Sequence, residues 1–261
     1  DKPVSCDVTD TTQDQDHAQD YHSLSESTVI STRTEWQKIV TTVTTPEWQF
    51  ATFGSMLISY SSGVLSLWMP SYFKQTYGDI IPYDTLSALL CMSLLVSGTI
   101  GSLVGDRLAK RVAGRDFSDR TKLLKLCIYG CLVAIPFSNL SVGVNWGLFF
   151  SVTNLSLCLM AFAFLNIING MITVTCTPSD CRSYSVSLNI LILHLGGDMP
   201  SPIISSAIWQ ATNNLREAIL ISLVSLWGAV ALYFFAYRKM KTRDQLDKTQ
   251  MHIDTTHLQE L

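Results

Sequence analysis

Apolar residues along this chain gather into six long blocks, which short polar segments separate. Each block is close to the roughly 20 residues that an α-helix needs to cross about 30 Å of hydrocarbon. The pattern therefore predicts an all-α integral membrane protein with six transmembrane helices. The predicted spans are about 48–69, 85–104, 123–140, 146–174, 184–209 and 218–237.

Polar segments flank this six-span bundle, which we place at 47–240. Residues 1–32 lack apolar periodicity and are typical of a disordered cytosolic tail or a linker. Residues 33–46 are predicted to form a short amphipathic helix that lies along the membrane surface and ends at Pro46. Residues 241–261 are predicted to be a polar, mobile cytosolic C-terminal tail. The apolar face of the short helix consists of Trp36, Ile39, Val40 and Val43.

Basic residues predict the orientation, because Lys and Arg concentrate on the cytosolic side of membrane proteins. They cluster in alternate connections and after the sixth span, whereas the opposite connections contain only Lys74 and Arg216. We therefore expect both termini in the cytosol. Tyr21 begins a four-residue pattern that resembles a tyrosine-based sorting signal, and we expect the plasma membrane or an endolysosomal membrane. The two largest basic clusters are Arg107, Lys110, Arg111, Arg115, Arg120, Lys122 and Arg238, Lys239, Lys241, Arg243, Lys248.

Composition agrees with a membrane protein. Charged residues make up 15% of the chain, against about 25% in average soluble domains. The net charge of −3 averages an acidic N-terminal segment with basic connections, so it says little about partners. Hydrolase, zinc-protease and phosphate-loop motifs do not occur in the sequence. We therefore expect a protein that is not an enzyme, with no catalytic residue, no cofactor, no metal and no nucleic-acid partner.

A polar run interrupts the fifth apolar block between His194 and Pro202. A carboxylate such as Asp198 costs roughly 2.5–3.5 kcal/mol near the bilayer centre, so it needs a partner or a water-filled cavity. His194 lies four residues before Asp198, and the two side chains share one face if the helix continues. They could form a proton-responsive or substrate-binding pair, since histidine changes charge near neutral pH. The alternatives are a packing pair at a kink, or an Asp198 that points to outer water.

The same run contains residues that disturb an α-helix. Gly196 and Gly197 let another helix or a lipid approach the backbone. Pro200 and Pro202 cannot donate backbone hydrogen bonds, so the span should kink or break near them. Ser201 between them is a further site candidate.

Two of the asparagines in the predicted spans carry specific expectations. Asn166 in the fourth span is a second site candidate, because its amide could bridge helices or touch a polar head group. Asn189 in the fifth span is expected to hydrogen-bond a neighbouring helix. Trp68, at the end of the first span, is expected to anchor at the membrane interface.

The connection after the second span contains an acid followed by clustered bases. From the chemistry alone, this segment could be a latch between two rocking bundles or a simple positive-inside anchor. It resembles the cytosolic gate motif of the major facilitator superfamily, in its second-half copy. Ser102 and Ala109 replace the two glycines of that motif. The residues that match are Asp106, Arg107, Lys110 and Arg111.

Two further stretches resemble the Spinster family of lipid transporters, again in the second half. One is the end of the first span, and the other is the polar run of the fifth span. The resemblance covers about residues 34–240, although Arg182 stands alone where the family has two adjacent bases. The first-span matches are Gly63, Leu65, Leu67, Trp68 and Pro70. The fifth-span matches are His194, Leu195, Gly197, Asp198, Ser201 and Pro202.

That resemblance implies a function and a partner. Members of the family have twelve spans in two six-span halves, and they move sphingoid lipids or lysophospholipids by alternating access. This chain would supply the second half, with the missing N-terminal half in the same polypeptide or in a partner. The other hypotheses are a non-transporting six-span subunit or scaffold, and a facilitator of a small polar solute such as a sugar.

Overall fold

A computed structural model describes residues 34–78, 80–114, 119–144 and 146–259, with side chains described to 243 and at 245. All regular structure in these residues is helical. The expectations for residues 1–32 and for the Tyr21 pattern lie outside the described residues.

The helices follow one another with short connections, as expected for a bundle that crosses a membrane repeatedly. A 3₁₀ turn at Ser179–Cys181 precedes α6, and a π-helical segment at Leu193–Asp198 joins α6 to α7. The α-helices are α1 (Glu35–Thr44), α2 (Pro46–Tyr77), α3 (Tyr83–Ala113), α4 (Arg120–Gly143), α5 (Leu148–Thr175), α6 (Arg182–Ile192), α7 (Pro200–Thr212), α8 (Leu215–Ser222) and α9 (Ser225–Gln259).

The predicted all-α membrane fold is confirmed. Five helical segments within the described residues are long and apolar enough to cross a bilayer: α2, α3, α4, α5 and the α8–α9 segment to Arg243. The predicted fifth span is the succession of α6, the π segment and α7 over 182–212. Five of the six predicted spans therefore have the length and hydropathy of a membrane span among the described residues, and the predicted fifth is a helical segment whose α-helical geometry is interrupted.

The helices extend beyond the predicted apolar blocks, because a hydropathy pattern marks the hydrocarbon part of a helix rather than its ends. Pro46 begins α2 instead of merely ending α1, since proline is well suited to the first helical position. At the other end, α9 continues to Gln259. The predicted polar tail is thus helical over 241–259.

Small residues let α3 and α5 pack closely. Gly101, Gly105, Ala109 and Ala113 are buried and recur every four residues along α3. A Cβ at Gly105 would lie 3.1 Å from the carbonyl oxygen of Phe164 on α5. Because α4 also packs extensively on α5, α5 is the shared partner of α3 and α4 in this part of the bundle.

A buried polar network joins α2, α5 and α9. The Tyr233 hydroxyl lies 3.0 Å from Ser55 Oγ and donates to Asn169 Oδ1 at 3.4 Å. Gly54 makes room for the Tyr233 ring, because a Cβ there would lie 3.1 Å from it. These hydrogen bonds fix the register of α9 against α2 inside an apolar core.

Basic residues meet at one end of the bundle. Lys125 lies over the ring of Tyr237 at 5.4 Å from its centroid, and Lys38 lies over Tyr184 at 5.9 Å. Arg243 of α9 reaches the start of α2. Antiparallel helices with alternating basic ends produce this arrangement, and it gives the bundle one strongly basic end.

Candidate functional site

The π-helical segment lies where two prolines disturb hydrogen bonding. An α-helical Pro200 would have no N–H for the carbonyl of Gly196, and its ring would clash with that oxygen. The backbone instead widens, and the Met199 N–H donates to the carbonyl of His194 at 2.9 Å, five residues back. Backbone angles at Ile192 and Met199 stay helical. The predicted kink or break is therefore a π-helical widening, a feature that occurs frequently at functional sites.

A serine hydroxyl replaces the backbone donor that the second proline lacks. Pro202 cannot donate to the carbonyl of Asp198, four residues earlier. Ser201 Oγ donates to that carbonyl at 2.8 Å instead. Ser201 is buried, so its role in the structure is to satisfy the backbone next to the predicted site.

The widened turn presents His194 and Asp198 side by side. Nδ1 of His194 donates to Oδ2 of Asp198 at 2.6 Å. The second carboxylate oxygen, Oδ1, accepts a hydrogen bond from Ser59 Oγ on α2. The predicted pairing is thus present, and a third residue from another helix completes it. Hydrogen bonds to a charged group contribute about 1.5–3 kcal/mol, which offsets part of the cost of burying the carboxylate.

Two glycines bring α2 and the π segment into contact. A Cβ on Gly197 would lie 2.7 Å from the carbonyl oxygen of Met56 and 2.9 Å from Ser59 Cβ. A Cβ on Gly63 would meet the side chain of Ser201. Both glycines are required for the distance at which Ser59 reaches Asp198.

Trp68 strengthens the same contact. Its Nε1 donates to Ser205 Oγ on α7 at 2.6 Å, and its ring packs edge-to-face on Trp209 at 5.3 Å. Trp68 is therefore a helix-packing residue, and its role as an interfacial anchor stays a prediction. An indole at a helix crossing can satisfy its N–H inside the bundle.

The other side of the His194–Asp198 pair is open. The two side chains are 64% and 40% exposed in this chain. Exposed aliphatic side chains flank them, among them Leu191, Leu195 and Met199. A polar, hydrogen-bonded pair beside apolar residues gives this surface an amphipathic character.

An apolar cavity of about 180 Å³ lies between α2, α3 and α5. Ser66 and Ser87 supply hydroxyl groups, and Tyr83 lies at one edge. The rest of the lining is largely aliphatic, with Leu65, Met69, Leu90, Leu94, Leu155 and Leu159. Such a cavity fits a hydrocarbon chain better than a hydrated solute.

The two asparagines do not join this site. Asn166 is exposed on α5, and the structure gives it no hydrogen bond with His194, Asp198 or Ser59. Asn189 is buried, but its Oδ1 has no hydrogen-bond partner among the described residues. The hydrogen bond predicted between Asn189 and a neighbouring helix is therefore not made by this oxygen.

The gate motif lies on the last three turns of α3 rather than in a connection. Asp106 pairs with Lys110 at 2.7 Å, one turn later on the same helix. Arg107 and Arg111 are exposed. The Ser and Ala that replace the motif's glycines fit this helix, because Ala109 is buried against the bundle.

Sequence reasoning missed Ser59, whose hydroxyl binds the predicted acid. It is one of several serines on α2, and their density could have marked a polar face on that span. Ser61, for example, pairs with Ser225 on α9 at 2.7 Å. Serine is common in membrane helices that pack closely, so the signal does not identify which serine faces Asp198.

Comparison with known proteins places the fold. No family model and no curated protein sequence matches this chain. Among solved structures, the fold is similar to that of a bacterial homologue of the human lysosomal transporter Spinster, solved in an inward-facing and unoccupied conformation. The TM-score is 0.63 at 15% sequence identity, and the match covers 81% of this chain and 52% of that one. This chain therefore spans about half of its structural neighbour. The bundle shares its fold with about half of that transporter structure, and its long apolar helices are those of an integral, multi-pass membrane protein.

Proposed function

We propose that this chain is the second half of a membrane transporter that moves a lipid of the sphingoid or lysophospholipid type by alternating access. The observation that carries the proposal is the hydrogen-bonded group of Ser59, His194 and Asp198 on a π-helical turn. The missing N-terminal six-span half, in the same polypeptide or a partner, would face this group and enclose a central cavity between the two halves. The likeness to a Spinster homologue in fold supports this arrangement.

The open side of the pair supports a transport role. A carboxylate and an imidazole exposed at membrane depth cannot face hydrocarbon without a large penalty. They are accommodated if they face a water-filled cavity between two halves. His194 and Asp198 would then contact the polar head of the substrate or exchange a proton with the cavity.

The apolar surroundings favour a lipid over a polar solute. Leu191, Leu195 and Met199 leave little hydrogen-bonding capacity beside the pair, and the cavity between α2, α3 and α5 is lined mostly by apolar side chains. A sugar would need several hydrogen-bonding groups to replace its hydration. A scaffold without transport activity has no need for an ionisable pair with an open face.

The cytosolic gate belongs to the same proposal. Asp106 and Lys110 form an exchangeable ion pair at the basic end of α3, with Arg107 and Arg111 beside them. These residues would pair with the other half when the cavity closes on this side. We also propose that both termini are cytosolic and that the protein resides in the plasma membrane or an endolysosomal membrane.

Asp198→Asn tests the proposal in the full-length protein. The amide keeps the size of the side chain but removes the charge that binds His194 and Ser59. Transport of a labelled lysophospholipid should fall by on the order of tenfold or more, the loss expected for a charge-assisted hydrogen bond. Asp84→Asn is the matched control, because Asp84 is an exposed acid in the first turn of α3. Equal transport rates for the two variants at equal membrane abundance would contradict the role of Asp198.

His194→Ala tests proton sensing separately. The wild-type rate should depend on pH near neutrality, where histidine changes charge. The variant should lose that dependence while still inserting into the membrane. Identical pH profiles for the wild type and the variant would show that His194 is not the sensor.

A further inference from the structure

A second and larger cavity lies at the basic end of the bundle. Its volume is about 540 Å³, and its described lining residues belong to α2 and α9 alone. None of these residues belongs to the His194–Asp198 site or to the gate. The cavity therefore calls for an explanation separate from transport.

One wall of this cavity is basic. Arg238, Lys239 and Arg243 line it, together with the hydroxyl-bearing Thr242. Glu47 is a buried acid on the facing helix, and its Oε1 lies 3.8 Å from Nη1 of Arg243. That distance is too long for a hydrogen bond, so the guanidinium keeps donors for another group. The described lining residues include three bases and one acid, which leaves an excess of positive charge.

The other wall is aromatic. Phe50 and Phe235 pack with ring centroids 6.2 Å apart, and Phe235 is 50% exposed. Along α9, Phe235 precedes Arg238 by one turn and Arg243 by about two turns. The aromatic wall thus lies toward the hydrocarbon and the basic wall lies toward water. A phospholipid at a membrane interface has the same order, with acyl chains first and the phosphate beyond them.

We propose that this cavity, which we call the α2–α9 groove, binds one anionic phospholipid. The phosphate would be held by Arg238, Lys239 and Arg243, and an acyl chain would lie on Phe50 and Phe235. Basic pockets between transmembrane helices recognise lipid head groups through the same chemistry. The lipid here is a bound component of the folded protein, and the inference does not require the protein to transport anything.

Delocalised attraction between a basic helix end and an anionic membrane is the competing explanation. It treats all exposed bases near the surface alike, whether or not they line the groove. Lys239 and Lys241 separate the two explanations, because both are exposed and they lie two residues apart. Lys239 lines the groove, and Lys241 is not among its lining residues.

The test measures lipid retained by the full-length protein after purification from vesicles of phosphatidylcholine and phosphatidylglycerol, by native mass spectrometry. Lys239→Gln should lower retained phosphatidylglycerol about tenfold, as expected for one charge-assisted hydrogen bond. Lys239→Arg should restore it, and Lys241→Gln should change it by less than about twofold. Equal losses for Lys239→Gln and Lys241→Gln, or no loss for either, would overturn the proposal.

A second arm separates a lipid from a soluble phosphate. Phe235→Ala should also lower retention, whereas Phe234→Ala should not, because Phe234 is similarly exposed but is not a lining residue. Added glycerol 3-phosphate should fail to displace the lipid at equal concentration, since it has no acyl chain for the aromatic wall. Full displacement by glycerol 3-phosphate, or equal effects of the two phenylalanine changes, would show that the groove binds an anion and not a lipid.

Discussion

Gly197 offers a direct test of the contact that builds the candidate site. An alanine Cβ there would lie 2.7 Å from the Met56 carbonyl oxygen and 2.9 Å from Ser59 Cβ, whereas ordinary contacts begin near 3.4 Å. Helix α2 and the π segment would have to separate by about 0.7 Å to relieve the closer contact. The carbonyl belongs to a helix backbone, so it cannot rotate away as a side chain can. Overpacking of this kind costs about 1–3 kcal/mol.

Thermal unfolding of the purified full-length protein in one detergent measures this cost. Since 1 kcal/mol corresponds to about 2–4 °C for 150–250 residues and to less for a longer chain, Gly197→Ala should lower the apparent Tm by at most about 12 °C. Gly170→Ala is the matched control, because Gly170 lies in α5 and a Cβ there would meet nothing within 4 Å. The control should leave the apparent Tm unchanged or raise it, since alanine favours helix by about 0.8–1 kcal/mol. The reasoning fails if Gly197→Ala unfolds at or above the temperature of Gly170→Ala.

Two further changes test other parts of the bundle by the same unfolding assay. Tyr233→Phe removes the hydroxyl between Ser55 and Asn169, and the buried groups left with fewer partners should cost about 1–3 kcal/mol; an unchanged Tm would refute the network. Asp119→Ala removes the cap of α4, where the carboxylate accepts from the backbone N–H of Lys122 at 3.2 Å, and should cost about 1 kcal/mol at neutral pH. The hydrogen bond from the Lys122 side chain lowers the pKa of Asp119 below its ordinary value of 3.8. The stabilisation by the Asp119 carboxylate is therefore complete above that pH and is lost as the pH falls through the lower folded-state pKa. The Tm values of the wild type and the variant should therefore converge in acid. A difference in Tm between the wild type and Asp119→Ala that stays constant through this pH range would contradict the capping role of Asp119.

The sequence was sufficient for the fold because the cost of exposing polar backbone to lipid leaves few alternatives to a helix bundle. Hydropathy located the five long apolar helices, although not their ends, which extend into polar sequence at Pro46 and Ala113. The spacing of His194 and Asp198 allowed their pairing to be predicted for a continuous helix, since four residues correspond to about one helical turn, but it left other arrangements open. The π-helical widening was not predictable in detail, because two prolines are compatible with a kink, a break or a π turn.

Contacts between spans were the part that sequence reasoning could not supply. Ser59 is one of many serines on α2, and only packing through Gly63 and Gly197 brings it to the carboxylate. The roles of Trp68 and Asn189 were predicted from residue type, and the packing adds contacts for Trp68 that residue type does not indicate. Trp68 donates a hydrogen bond to Ser205 inside the bundle, while the amide oxygen of Asn189 has no donor among the described residues.

The central claim is that the open face of the His194–Asp198 pair handles a lipid. The most direct measurement is uptake by vesicles that contain the full-length protein, with a labelled lysophospholipid and a labelled hexose offered in parallel. The account predicts that the lysophospholipid crosses faster than in protein-free vesicles and that the hexose does not. Hexose uptake without lysophospholipid movement, or no uptake of either by correctly inserted protein, would contradict it.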